Sequence, residues 1–558
     1  MNASNPSTSP AWRHCLRLLL AWAWALGVCG TALAGDEATY TVVSGDHPWN
    51  IAQRFLLTPA HAVQLARLNG IRNDRLIPPG TRLRIPVAWL RLQQARARLG
   101  RLQGDVRVVG TDGVSQAAVE GASWQPGTAL RTGLQSTALL EFDDGSRSLV
   151  RQLSLVRLVQ AEQPLLGGGH RLQLELVTGA IENLVKPLAG AGGRFEIRTP
   201  AGIAAVRGTE FRVSATEYLT RTEVLEGAVL LRNDAGETAA SAGAGTFANL
   251  ASAPVPAKPL LNAPDLSTVP ARLERLPIDW PVPAVVGGTS YRTQLAADSR
   301  FDALLSEEVT TAPRVRISAA PDGQYVLRLR TIDSQGLEGR SSERAIELFT
   351  QPPPPILIEP APEAQVLSLR PTLRWARAQA ASTYRLQIFP DQPADAQPLE
   401  DRVVDTTAQT RSGSELPPGI YRWRVATIDT TRNRQGPWGD MQSFRRVEPG
   451  PSFSAPDLRG GAMTLAWSAQ AFAATYRMQL STDAGFGTVL VDTLATAPRH
   501  QLPTPGPGTY HVRVQATGVD GFTGPWGTVQ SFTVPEPEPP VPDWRPLWLL
   551  VPLLLLAL

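Results

Sequence analysis

Two series of tyrosines run through the C-terminal half of the chain at intervals that a repeated module would keep. Tyr291, Tyr384 and Tyr476 lie 93 and 92 residues apart, in the contexts SYRTQLAADSRF, TYRLQIFPD and TYRMQLSTDAGF. Tyr325, Tyr421 and Tyr510 follow in register, within GQYVLRLRTID, GIYRWRVATID and GTYHVRVQATG. A domain-sized period with apolar and polar positions alternating inside each copy predicts tandem β-sandwiches. Trp375 and Trp467 stand nine residues before the first tyrosine of copies two and three, where they are expected to point inward. Those copies also share GPWG and a closing QSF. Copy one has Trp280 eleven residues ahead of its tyrosine and no GPWG, so the pattern leaves its first strands open.

Copies two and three resemble fibronectin type III domains, and copy one is a divergent version. Proline-rich stretches at 253–264, 351–364, 448–457 and 534–543 separate the modules. Proline withdraws a backbone donor and favours extended, solvated linkers. The expected division is a signal peptide over 1–34, a small module over 38–88 and an all-β domain over 102–250. A linker over 251–275, repeats over 276–350, 354–447 and 452–534, and a linker with an apolar tail over 535–558 complete it. At 558 residues such a chain needs several cores, and the predicted class is multidomain and mainly β.

The first 34 residues read as a secretory signal. Arg13, His14 and Arg17 precede an apolar run that closes on Ala32-Leu33-Ala34. Both cysteines, Cys15 and Cys29, fall inside it, so the mature chain is expected to hold no disulfide, thiol nucleophile or thiolate metal site. The expected location is exported, in the periplasm or cell envelope. At the other end the apolar run from Leu547 to Leu558 would extend about 18 Å as a helix, against a hydrocarbon core of roughly 30 Å. Either it dips into one leaflet as a shallow membrane contact, with Trp544 and Trp548 at the interface, or it is an inert tail. With 53 basic and 50 acidic residues the net charge is only +3, which provides no field for nucleic acid.

After the signal, Tyr40-Thr41-Val42-Val43 alternates as a short strand and Ser44-Gly45-Asp46 suits a turn, with Asp46 as helix N-cap and Pro48 in the first turn. Trp49, Ala52 and Phe55 then mark one helical face. A second helix, from about Thr58 or Ala60 to Leu68, ends at Asn69-Gly70, and LIPPGTRLRIP gives a proline turn and a strand over Arg82 to Ile85. The segments YTVVSGDHPWNIAQRF, LARLNGI and LIPPGTRLRIP together resemble a LysM domain over Tyr40 to Pro86. The resemblance implies binding of N-acetylglucosamine glycans, mainly peptidoglycan. By position the groove would lie between Gly45, Asp46, His47 and Leu76, Ile77, Pro78, Pro79. His47-Pro48 departs from the threonine-leucine usual there.

Residues 102–250 read as short strands joined by tight turns, with Asp144-Gly145 as a hairpin signal. LQLELVTGAIENL, GRFEIRTPAGIAAVRGTEFRV and TEVLEGAVLLRN, in that order, resemble the extracytoplasmic domain of the FecR family. The resemblance implies a twisted, β-solenoid-like fold and a surface for docking an envelope protein. The family's role in sigma-factor regulation also needs a cytoplasmic segment and a spanning helix ahead of the domain, and the sequence reads there as a signal peptide and the LysM-like module.

Chemistry is sparse. His47, His61, His170, His500 and His511 are scattered without metal-ligand spacing, and no nucleophile elbow or phosphate loop is present. No metal, cofactor or catalytic residue is predicted. Asp143 and Asp144 read as turn residues rather than a glycosidase pair. In the tetrad Arg207-Gly208-Thr209-Glu210, parity turns Phe211 and Val213 inward and Glu210 and Arg212 outward, as surface charges worth a few tenths of a kcal/mol in cross-strand pairs. The function expected is a non-enzymatic envelope protein that binds peptidoglycan and presents β modules for protein interaction. The alternatives are an envelope signalling or sensor component and, last, a cell-wall hydrolase.

Overall fold

The computed structural model describes residues 37–537 apart from 74–76, 168, 188–191, 207, 379–381, 394–395, 406 and 459–460. The signal peptide and the apolar tail fall outside these, as do Leu76 and Arg207. The described chain divides into two units, up to Thr350 and from Gln351.

The first unit begins with a βααβ module: β1 (Glu37–Thr41), α1 (Pro48–Phe55), α2 (His61–Leu68) and β2 (Arg82–Pro86), with β1 and β2 paired antiparallel. Val42, Ile51, Ala52, Leu65, Leu83 and Ile85 form its core. Trp49 does not join them. It is 55% exposed, because position 49 follows the N-cap by only two residues and points away from Ile51 and Ala52. The N-cap is His47 rather than Asp46: His47 Nδ1 accepts from Asn50 N at 3.3 Å, and Asn50 Oδ1 accepts from His47 N at 2.8 Å.

A path of seventeen hydrogen-bonded strands follows among the described residues, folded into two faces around one core. One face runs from Ala97–Gln103 and Thr137–Phe142 through β3 (Arg147–Val150), the second half of β4 (Arg171–Leu184), β5 (Glu210–Ala215) and β6 (Leu219–Glu226) to Ala244–Asn249. The first half of β4 belongs to the other face, against Leu155–Pro164 and, in parallel, Arg194–Thr199. The chain thus winds between two sheets in the solenoid-like manner. Phe195 sits edge-on between Phe142 and Phe211 in the core, 6.1 and 6.3 Å away.

β4 changes sheet between Thr178 and Gly179. Gly179 has φ +97°, and a Cβ there would lie 2.2 Å from Ser154 Oγ and 2.5 Å from its Cα. The corner therefore requires glycine on both conformational and steric grounds. The same holds at Gly208 (φ +68°), where a Cβ would lie 2.9 Å from Pro187 Cα. Beside it Thr209 Oγ1 donates to Ala228 O at 3.1 Å, which ties the Gly208-Thr209 turn to the Glu-Gly-Ala-Val segment.

The three repeats are β-sandwiches. In repeat one β7 (Gly288–Ala296), β8 (Leu304–Thr310), β9 (Gly323–Asp333) and β10 (Glu338–Leu348) form the main sheet, and Ile278–Pro281 pairs with Arg314–Ile317 opposite. Both tyrosine series have a hydrogen-bonding reason. Tyr291, Tyr384 and Tyr476 accept the backbone N–H six residues upstream at 2.9–3.0 Å. Tyr325, Tyr421 and Tyr510 donate to the carbonyl four residues upstream at 2.8–3.0 Å, a tyrosine corner in each copy. Trp375 and Trp467 are buried, whereas Trp280 is 36% exposed and Ile278 and Val282 take the inward places.

Gly179→Ala is expected to cost about 2–4 kcal/mol, from left-handed strain plus overpacking against Ser154. Thermal unfolding followed by circular dichroism checks this, with Gly113→Ala, an open position of similar φ, as the milder control.

Candidate functional site

Two places gather polar chemistry in the first unit. The first is the pair of turns in the N-terminal module. Val42 N donates to Thr81 O at 2.9 Å and Gly80 N to Val42 O at 2.8 Å, so the turn after β1 and the turn before β2 are bonded side by side. Of the residues expected to line a groove, Gly45 (φ +89°), Pro78 and Pro79 are exposed. Ile77 is buried in the module core, and Leu76 lies outside the described residues.

Asp46 is buried and its carboxylate is fully engaged. It accepts from Tyr40 Oη at 2.6 Å, Val43 N at 2.9 Å and Arg54 Nη2 at 3.0 Å. Burial raises its pKa, but Tyr40, Val43 and Arg54 outweigh that and hold it below the ordinary value. Asp46 and His47 therefore shape the turn, and what faces outward is backbone, proline rings and the Trp49 ring. The exposure of Trp49 was not legible in a pattern that put residue 49 on one face with Ala52 and Phe55.

The second place is the outer side of the β3–β6 face. Parity correctly turns Glu210 and Arg212 away from the core, but Arg212 is only 3% exposed, because the sheet of repeat one lies across it. The expectation of weak surface pairs is corrected by this cover. Arg151, just after β3, forks onto Glu307 of β8 with Nε and Nη2 both at 3.0 Å, and its Nη1 reaches Glu338 at 2.8 Å. Arg330 of β9 returns the pattern, with two 2.7 Å bonds to the two oxygens of Glu182 and one of 3.0 Å to Glu338. Arg212 Nη2 donates to the carbonyls of Glu338 and Gly339 at 2.6 and 2.9 Å.

Three backbone amides of repeat one also bond to side chains of the β domain. Leu304 N reaches Thr137 Oγ1 at 3.3 Å, Glu307 N reaches Gln135 Oε1 at 2.9 Å, and Glu338 N reaches Glu223 Oε1 at 3.1 Å. Leu149, Ala296, Phe301 and Leu304 add a small apolar cluster. Beside it a cavity of about 270 Å³ is lined by Glu210, Phe211, Leu225 and Arg328. The other carboxylates lining it, Glu182 and Asp302, are held by Arg330 and Arg147, so these carboxyls are not arranged as a free acid and nucleophile. The four-stranded pattern of arginine and glutamate at outward parity is the signal that could have pointed to a covered face.

A family model described as LysM domain matches residues 40–86, and one described as FecR protein matches residues 128–230. The chain carries a LysM domain and a FecR domain. Both families are non-catalytic and typical of envelope proteins. No curated protein matches the chain. Among solved structures, a protein described as an anti-sigma factor from Parabacteroides distasonis is 15% identical, with 25% of this chain and 70% of that chain covered and a TM-score of 0.20. A two-domain fibronectin type III segment of chicken tenascin is 17% identical, covering 32% and 98%, with a TM-score of 0.22. The chicken interferon gamma receptor alpha chain is 12% identical, covering 33% and 98%, with a TM-score of 0.23. At these TM-scores the likenesses carry no weight, and the architecture rests on the strand pairing above. Among the described residues no helix is long and apolar enough to cross a membrane.

Ionisation on the covered FecR face divides in two. Burial raises Glu182, Glu307 and Glu338, but Arg330 for the first and Arg151 for the others override it, and all three lie below the ordinary carboxylate value. Glu223 goes the other way: burial pushes it up to about 7 despite Arg212 at 3.6 Å. A folded-state pKa raised from 4.5 means stability is full below pH 4.5 and declines as pH rises to about 7. The three lowered groups contribute above their unfolded value and lose that contribution as the solution turns acid. Glu223→Gln keeps an acceptor for Glu338 N without a buried charge. It is expected to raise the melting temperature at pH 8, by an amount corresponding to about 3 kcal/mol, and to leave it unchanged at pH 4. Melting curves from pH 4 to 8 for parent and variant check this.

Proposed function

We propose that the chain is a non-enzymatic cell-envelope protein that holds N-acetylglucosamine glycan, peptidoglycan above all, through its LysM domain. On this reading it is exported to the periplasm or envelope and presents FecR and fibronectin-like modules for protein interaction. The observation that carries it is the LysM match over a βααβ module whose two bonded turns leave Gly45, Pro78 and Pro79 open. Backbone groups in such turns bond acetamido and hydroxyl groups, and proline and tryptophan faces cover the apolar side of a sugar ring. Asp46 and Ile77 act from beneath, by holding the two turns in place, and His47 does so by capping α1.

The FecR match over residues 128–230 favours a second reading, an envelope signalling or sensor component that docks a protein through that domain. The two are compatible, since glycan retention and protein docking use different modules.

Ser44 and Pro79 are exposed on the two turns. The double substitution Ser44→Glu and Pro79→Glu is expected to reduce sedimentation with purified peptidoglycan by about tenfold or more, which corresponds to about 1.4 kcal/mol, with the melting temperature unchanged. Pelleting equal to that of the parent would sink the glycan reading.

A further inference from the structure

We infer that the outer face of the FecR domain is a recognition surface for a fibronectin-like sheet, that repeat one fills it in cis, and that Arg330 and Ser341 decide which repeat docks. The inference deepens the reading of the FecR domain as a protein-interaction module and is independent of glycan binding.

The three repeats share one constellation on the outer side of the main sheet. In repeat two Arg385 forks onto Asp401 at 2.7 and 2.8 Å, Gln387 bonds the same carboxylate at 2.8 Å, and Arg424 donates to Gln387 at 2.8 Å. In repeat three Arg477, Asp492, Gln479 and Arg513 repeat those bonds at 2.6–2.9 Å. In repeat one the same register positions are Arg292, Glu307, Gln294 and Arg328.

What differs is the cover. The GPWG tryptophans lie over the last arginine of each set, Trp438 at 4.4 Å from the Arg424 guanidinium and Trp526 at 4.4 Å from that of Arg513. Trp438 stands opposite Ala426 in the ladder and Trp526 opposite Gln515. These faces are closed by their own aromatic ring, through cation–π contacts. In repeat one the corresponding pair is Arg330 opposite Ser341. A serine leaves the face open, and it accepts from Arg330 Nε at 2.9 Å, while the rest of that guanidinium meets Glu182 of the FecR face. Arg328, which has Phe301 beneath it at 3.5 Å, faces Glu182 at 3.6 Å where its counterparts face tryptophan.

The FecR domain thus supplies in repeat one what a tryptophan supplies in repeats two and three. A sheet face with the Arg-Gln-Glu-Arg set, an added arginine and no tryptophan is the chemistry this surface takes. With repeat one in place, the face is closed to any other protein, and further partners must use another side of the FecR domain.

The test uses the full chain and amide hydrogen exchange. The amides of Leu304, Glu307 and Glu338 report docking, because they bond to Thr137, Gln135 and Glu223, and those of Leu327 and Leu329 in the central strand β9 report folding of the repeat. Ser341→Trp and, separately, Arg330→Ala are expected to speed exchange of the three reporters at least about tenfold while Leu327 and Leu329 stay protected. Ser341→Ala is expected to leave all five as in the parent. Reporters that remain protected in both Ser341→Trp and Arg330→Ala would overturn the inference. Loss of protection at Leu327 and Leu329 together with the reporters would overturn it too, since the face would then be part of one indivisible core. Peptidoglycan sedimentation of these variants is expected to match the parent, so that failure here and failure of the glycan reading are told apart.

Discussion

The buried arginine–glutamate network between the FecR face and repeat one is the interaction on which the first unit depends. Removing a charge from water costs several kcal/mol per ion even after relaxation, and the attraction returns that only when each charge is paired and its remaining donors and lone pairs are bonded. Arg151, Arg330, Glu182, Glu307 and Glu338 meet the condition through forked bonds at 2.7–3.0 Å. Such a network tolerates no partial assembly, because deleting one partner strands the other in a low-dielectric site. It therefore specifies one register between two sheets that could otherwise slide over each other.

The same face accounts for the opposite titration of neighbouring carboxyls. Glu182 has two nitrogens of Arg330 within 2.7 Å, and its charge is favoured in spite of burial. Glu223 has its nearest guanidinium at 3.6 Å, shared with Glu338, and burial wins. An ångström of separation decides the sign, since hydrogen bonding as well as Coulomb attraction is lost over that distance.

At the other end of the first unit the LysM turns are fixed from below. Asp46 ties Tyr40, Val43 and Arg54 together, and Leu166 of the following domain packs onto the module core. Leu165 N donates to Arg91 O at 2.9 Å, and Leu92–Gln94 pairs with the end of Leu155–Pro164. The two LysM turns thus stand on a module built into the β domain rather than strung from it.

Much of the fold was legible because local chemistry repeats. Tyrosine corners, inward tryptophans and period-2 strands belong to single sandwiches, and each copy restates them, so spacing alone exposes the modules. The LysM and FecR segments were legible for a related reason: their glycines and turns answer to backbone geometry a few residues away, as at Gly208. Asp46 and Trp49 were misjudged because the helix starts one residue later than the turn pattern suggested, with His47 as its cap, and Arg212 because its surroundings come from elsewhere in the chain. Periodicity states which side of an element a residue faces. It does not state what covers that side. By itself the sequence determined the modules, their strand parity and the turns that join them. Only the tertiary structure decided that the charged side of the FecR domain is an interior surface, because the residues that bury Arg212 and Glu182 lie more than a hundred positions away and act by pairing charges across two sheets.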